Sequence, residues 1–195
     1  MNFVTSVFEG GKYMNRALLV IDYTNDFVAT EGSLTCGEAG QAIEETLLNL
    51  LETFAINQDE IVMAVDYHQL NDRYHPENKL FPPHNINGTA GRELYGSVQN
   101  WYDAHQRDKN VFWLDKTRYS AFAGTNLDMH LRERNITEVH LVGVCTDICV
   151  LHTAISAYNL GYKIVVHEAG VASFNQAGHQ WALSHFKASL GAEVR

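Results

Sequence analysis

Three residue types that together perform acyl transfer stand at the ends of apolar runs in this chain of 195 residues. Asp22 ends the run RALLVID, Lys116 follows the run VFWL, and Cys149 follows the run VHLVGV and a short intervening segment. A carboxylate can take a thiol proton and later return it to a leaving amine. A neighbouring ammonium favours the anionic forms of both groups. The activated sulfur is then a nucleophile. The stretch around Cys149 reads as a buried strand, a tight turn, and a helix that opens at the cysteine. That placement sets the sulfur against unpaired backbone N–H groups, which stabilise a thiolate. The same three residues also fit a structural Asp22–Lys116 ion pair beside an inert buried thiol.

A second group follows the run IVMAVD. Asp66 and His68 are two apart on a strand end, so their side chains point the same way. His75, Glu77 and His84 come next in a polar stretch rich in Pro, His and Asn. Carboxylate and imidazole without thiolate suit a divalent transition metal with positions left open for water. The bland alternative is a polar loop that holds three histidines. Phe27, Phe81 and Tyr119 lie near these points and can either wall a flat ring or serve as plain core.

These residues need elements to position them. Short apolar runs at 16–22, 61–66, 111–114, 139–144 and 163–167 predict strands, with a last short one at 192–194. Helical periodicity marks 38–54, 126–134, 148–160 and 176–190, and a shorter helix at 98–105. Gly161 and Gly191 follow two of these helices as C-cap residues. Residues 67–91 read as a long loop, and loops of that length are usually functional. Strands alternate with helices, and the strand runs are continuously apolar, as expected when both faces are covered. The predicted fold is a doubly wound α/β structure, a mostly parallel sheet with helices on both faces. Ligands bind such sheets outside the carboxyl ends of the strands, where Asp22, Asp66, His68, Lys116 and Cys149 fall. Residues 1–15, with Gly10-Gly11 and a second methionine at Met14, read as an N-terminal extension. Residues 16–195 read as a single domain.

Composition narrows the partners. A hydrophobic share of 46% and a charged share of 19% suit a soluble globular protein with one full core. A formal net charge of -9 offers no basic footprint for nucleic acid. No apolar run reaches membrane-spanning length, and the N-terminus lacks the long apolar stretch of a secretory signal. The three cysteines, an odd and small number, argue against a disulfide framework and for a reducing cytoplasm.

Five segments taken together, ALLVIDYTNDF, DYHQLNDRYHPE, LFPPHNINGTAG, WLDKTRYSAFAGT and LVGVCTDICVLHTAISAYNLGY, are similar to those of a known family. The chain resembles the nicotinamidases of the isochorismatase-like cysteine hydrolase superfamily over residues 16–195. The resemblance implies a catalytic triad at Asp22, Lys116 and Cys149, and metal ligands at Asp66, His68 and His84. Glu77 is the implied fourth ligand, with His75 as its rival. It implies a cis peptide between Val144 and Cys145 and an oxyanion hole from the N–H groups of Cys145 and Cys149. Phe27, Tyr119 and Phe81 become walls around a pyridine ring. The implied reaction is hydrolysis of nicotinamide, and of pyrazinamide, to the acid and ammonia in NAD salvage. One divalent metal ion, zinc first and then iron or manganese, and a cytoplasmic homo-oligomer complete the expectation. An N-carbamoyl amidohydrolase would share the triad without needing the metal group, and a non-catalytic binding domain would be expected to lose a triad member.

Overall fold

In the computed structural model, which describes residues 15–195, six strands form one all-parallel sheet in the order β3-β2-β1-β4-β5-β6. The strands are β1 (Arg16–Ile21), β2 (Glu60–Asp66), β3 (Val111–Lys116), β4 (Glu138–Val144), β5 (Lys163–Ala172) and β6 (Glu193–Val194). The helices are α1 (Asn25–Val28), α2 (Glu38–Gln41), α3 (Glu44–Ile56), α4 (Gly96–His105), α5 (Leu127–Glu133), α6 (Leu151–Asn159) and α7 (Gln176–Leu190). The proposed extension lies outside the described residues apart from Asn15, whose carbonyl accepts from the N–H of Thr137 at 2.9 Å. No described helix is long and apolar enough to cross a membrane.

Side chains of the central strands alternate between two cores. Ala17, Leu19, Ile21, Val62, Ala64, Val139 and Leu141 pack with Leu127 and Leu131 of α5, Leu151 and Ala154 of α6, and Leu183 and Phe186 of α7. Leu18, Val20, Ile61, Met63, Val65, Val142 and Val144 pack on the other face with Leu47, Leu51 and Phe54 of α3 and with Val98 and Trp101 of α4. Leu47, Leu51 and Phe54 are spaced four and three apart, so α3 turns one stripe toward the sheet. Full burial of each such side chain contributes about 1.5–3 kcal/mol. The continuous apolar runs follow from this arrangement, because both faces of the sheet are covered.

The chain winds outward from β1 to β3 and then returns to place β4 beside β1. That reversal opens a crevice between the carboxyl ends of β1 and β4. Gly143 makes the close approach there possible: its φ is +111°, and a Cβ atom at this position would lie 2.0 Å from the Ile21 carbonyl oxygen. The Val144–Cys145 peptide is cis.

Several boundaries differ from the sequence expectation. Strand β5 runs five residues past 167, with a register shift against β4 between Leu141 and Gly143. The irregularity lets it continue past the crevice. Helix α6 begins at Leu151, and Cys149 lies before it in a wide π-type turn, Thr146–Val150, where the Val150 N–H reaches back to the Cys145 carbonyl at 3.2 Å. Helix α7 is capped at both ends, at Gly191 as its sequence suggests. The Asn175 side chain accepts from the Gly178 N–H, and Gly191 adopts the left-handed conformation at the far end.

Candidate active site

Asp22 is the first residue beyond β1, and its backbone turns sharply into the left-handed region at φ +54°. Asp is among the few side chains that tolerate this conformation. The turn directs the carboxylate toward the neighbouring strand ends. Its Oδ1 accepts from the Asp66 N–H at 2.8 Å, and its Oδ2 lies 2.7 Å from Lys116 Nζ. Asp66 and Lys116 are paired across β2 and β3, and Lys116 Nζ donates to Asp66 Oδ1 at 2.5 Å. The Arg118 carbonyl accepts from the same ammonium at 3.2 Å. The ammonium thus faces three oxygens, the number of its N–H bonds. Asp22 and Lys116 are wholly buried.

Cys149 joins this group from the opposite side of the crevice. Its sulfur and one carboxylate oxygen each of Asp22 and Asp66 all lie within 4.8 Å of one another. The turn that carries it is fastened to the chain around α7: Thr146 Oγ1 is 2.8 Å from His179 Nδ1, and Ser173 Oγ donates to Asp147 Oδ1 at 2.6 Å.

The electrostatics correct one sequence expectation. A helix start was expected to stabilise a thiolate, but burial pushes the Cys149 thiol well above its ordinary value, and Lys116 opposes that only in part. The sulfur rests as a thiol and needs a base. Burial and the Asp66 charge raise Asp22 to about 7, against the pull of Lys116. A base near neutrality is matched to proton transfer at physiological pH. Burial disfavours charge on Lys116, but Asp22 and Asp66 outweigh it and hold the ammonium well above its usual range.

Asp66 also faces a second cluster. Asp66, His68, Glu77 and His84 are all buried and each offers a ligand atom, all within 4.8 Å of one another. Among the described residues, Asp66 Oδ2, His68 Nε2 and His84 Nε2 have no hydrogen-bond partner. Buried polar atoms are rarely left so. His84 Nδ1 donates to the Pro82 carbonyl at 2.9 Å, which turns Nε2 into the group, 3.4 Å from Glu77 Oε2. Burial takes His68 down to about 4, so it is a neutral imidazole near pH 7. Two ligands at ~2.1 Å from a shared ion are at most ~4.2 Å apart, so this group needs at most a small contraction to close on a divalent cation. The donor set fits such an ion.

His75 is placed otherwise. Its Nε2 donates to the Thr117 carbonyl at 2.9 Å, and its Nδ1 accepts from the Glu77 N–H at 3.3 Å. Both ring nitrogens are engaged, and what His75 orients is the Glu77 backbone. The loop that carries His84 is clamped by Asp26, whose Oδ2 accepts from the Asn85 N–H at 2.7 Å. Nothing in the sequence singled out Asp26, since its partner is 59 residues away.

A narrow cavity joins the two clusters. Asp66, Glu77, His84, Cys145 and Cys149 line it together with Phe27, Phe81 and Tyr119. Leu34, Ile148 and Phe174 complete the lining. These three escaped the sequence reading, because apolar side chains carry no chemical signature of their own. Such a mostly apolar cavity with convergent polar groups suits a small flat ligand.

The isochorismatase domain family matches residues 16–195. The chain belongs to this family. Among isochorismatase-fold structures, the crystal structure of nicotinamidase/pyrazinamidase PncA from Bacillus subtilis is 60% identical, with a TM-score of 0.91, covering 92% of this chain and 98% of that one. Pyrazinamidase/nicotinamidase from Streptococcus mutans is 53% identical with a TM-score of 0.90, covering 92% and 99%. The pyrazinamidase of Pyrococcus horikoshii in complex with zinc is 25% identical with a TM-score of 0.81, covering 93% and 98%. The doubly wound parallel sheet expected from the sequence is the fold these family members share.

Proposed function

We propose that this protein is a nicotinamidase, hydrolysing nicotinamide to nicotinate and ammonia, with residues 16–195 as its catalytic domain. The observation that carries the reading is the meeting of Asp22, Lys116 and Cys149 with the Asp66/His68/Glu77/His84 group through Asp66, beside one aromatic-walled cavity. Relatives at 60% and 53% identity that are named for this activity support the substrate class.

Asp66, His68, Glu77 and His84 would hold a divalent ion, zinc by likeness to the Pyrococcus structure, with iron and manganese also suited to these donors. When bound, the ion supplies an anchor for the pyridine nitrogen. Phe27, Tyr119 and Phe81 flank the ring and exclude water. Asp22 takes the Cys149 proton as the sulfur attacks the carboxamide carbon. The N–H groups of Cys145 and Cys149 hold the developing oxyanion, each donor contributing about 3 kcal/mol in comparable sites. Asp22 passes the proton to the departing ammonia. It then takes a proton from water, which cleaves the thioester and frees the acid. Lys116 keeps the carboxylates paired through both halves of the reaction.

Incubating the protein with nicotinamide and measuring ammonia tests the reading directly. Cys149→Ala should abolish release while leaving bound metal unchanged. Ammonia release at the native rate from that variant would refute the nucleophile.

A further inference from the structure

Cys36 lies 109 residues from Cys145 in sequence, in the stretch between α1 and α2. Its sulfur is nonetheless 3.5 Å from that of Cys145. Both are free and buried. The hydrolysis proposed above uses neither thiol, since Cys145 contributes only its N–H. The pair nevertheless adjoins the catalytic cavity, with Cys36 behind its wall. Cys145 lines it directly, as does Leu34, two residues before Cys36. Phe174, whose backbone faces the Cys36 sulfur, lines it as well. A small polar molecule that enters to reach Cys149 therefore also reaches Cys145.

A disulfide places its sulfurs about 2.05 Å apart, so these two need to close by roughly 1.5 Å. The two sides are unequally free to move. The Cys145 side follows Gly143, which is pressed against the Ile21 backbone. The Cys36 side is an irregular stretch followed by Gly37, at φ +58° with open space around its missing Cβ. Closure therefore falls mainly on the stretch that carries Leu34.

We propose that Cys36 and Cys145 form a redox modification site, where hydrogen peroxide joins them in a disulfide that reshapes the cavity wall and reversibly lowers turnover. The hydrogen bond from Cys145 holds the Cys36 thiol below its ordinary value, which makes Cys36 the attacking sulfur. That sulfur attacks one peroxide oxygen, the O–O bond breaks, and hydroxide leaves with the Cys36 proton as the first water. The Cys145 sulfur then displaces hydroxide from the resulting sulfenic acid, and its own proton completes the second water. Two thiols and one peroxide become one disulfide and two waters.

The test uses the zinc-loaded protein treated with hydrogen peroxide, then N-ethylmaleimide, peptide mapping and an ammonia-release assay before and after dithiothreitol. The expected result is a Cys36–Cys145 linked peptide with one of the three cysteines still titratable. Turnover should be largely lost as the Leu34 wall of the cavity shifts, and dithiothreitol should restore it. Cys36→Ser and Cys36→Ala should keep the activity of the untreated enzyme, form no link and show no dithiothreitol-reversible loss. A link that joins Cys149 instead, oxidised thiols without any link, or a linked enzyme with unchanged turnover would each overturn the proposal. The mapping needs no amide substrate, so it decides the thiol pair even if the nicotinamidase reading fails.

Discussion

Replacing Lys116 with methionine leaves the Asp22 and Asp66 carboxylates buried together with no cation between them. Lys116 Nζ lies 2.7 Å from one and 2.5 Å from the other, with no exposure of the lysine at all. Removing one partner of a buried ion pair costs about 3–5 kcal/mol, a large part of an ordinary protein's total stability of about 5–15 kcal/mol. The cost should depend on pH in a definite direction. Asp22 titrates at about 7 with the lysine present, against 3.8 as its ordinary value. Without the lysine it titrates higher still. Below pH 7 both proteins carry the proton on folding, and their stabilities change in parallel. Above pH 7 only the variant binds it, so the folded variant gains stability as pH falls while the native protein gains less. The gap should therefore narrow by up to about 1.4 kcal/mol per pH unit from pH 9 down to 7, then level off. Urea denaturation of chelator-treated protein across that range measures it. Ammonia release should fall roughly 10²–10⁴-fold at neutral pH, because a protonated Asp22 cannot act as base. A gap that is constant from pH 9 to 7, or a variant with native turnover, would refute the reasoning.

Glu77→Gln should weaken zinc binding by far more than His75→Gln, since both His75 nitrogens are already hydrogen-bonded; metal titration of the two variants checks this, and equal losses would restore His75 as a ligand. Gly143→Ala should destabilise the fold by at least about 3 kcal/mol, read by urea denaturation, because its Cβ meets the Ile21 carbonyl and its φ is left-handed. Burial and the neighbouring His140 take His167 down to about 4, from an ordinary value of 6.5. The unfolded chain therefore binds its proton first, and the stability that His167 contributes should be full above pH 6.5 and be lost as pH drops toward 4. His167→Gln should flatten that limb in thermal melts; parallel curves for the two proteins would show that His167 carries none of it.

The sequence by itself determined the doubly wound fold, because continuous apolar runs alternating with amphipathic stretches leave few other ways to cover both faces of a sheet. It also marked Asp22, Asp66, His68, Lys116 and Cys149, because reactive side chains at the carboxyl ends of parallel strands share one edge. Periodicity could not see past residue 167 in β5, where the polar pair His167 and Glu168 interrupts the apolar run. It also took the turn at Cys149 for a helix start, since a wide turn and an α-helix place their apolar residues alike over so few positions. Only the tertiary structure separates Glu77 from His75, through hydrogen bonds that occupy both nitrogens of the one while the other's carboxylate groups with His68 and His84. It alone decided the resting state of the sulfur, because desolvation depends on what surrounds a group and not on its neighbours in the chain. It alone brought Leu34 and Phe174 to the cavity wall, Cys36 against Cys145, and Asp26 against the loop of His84. Their roles rest on contacts across the fold, which no local spacing encodes.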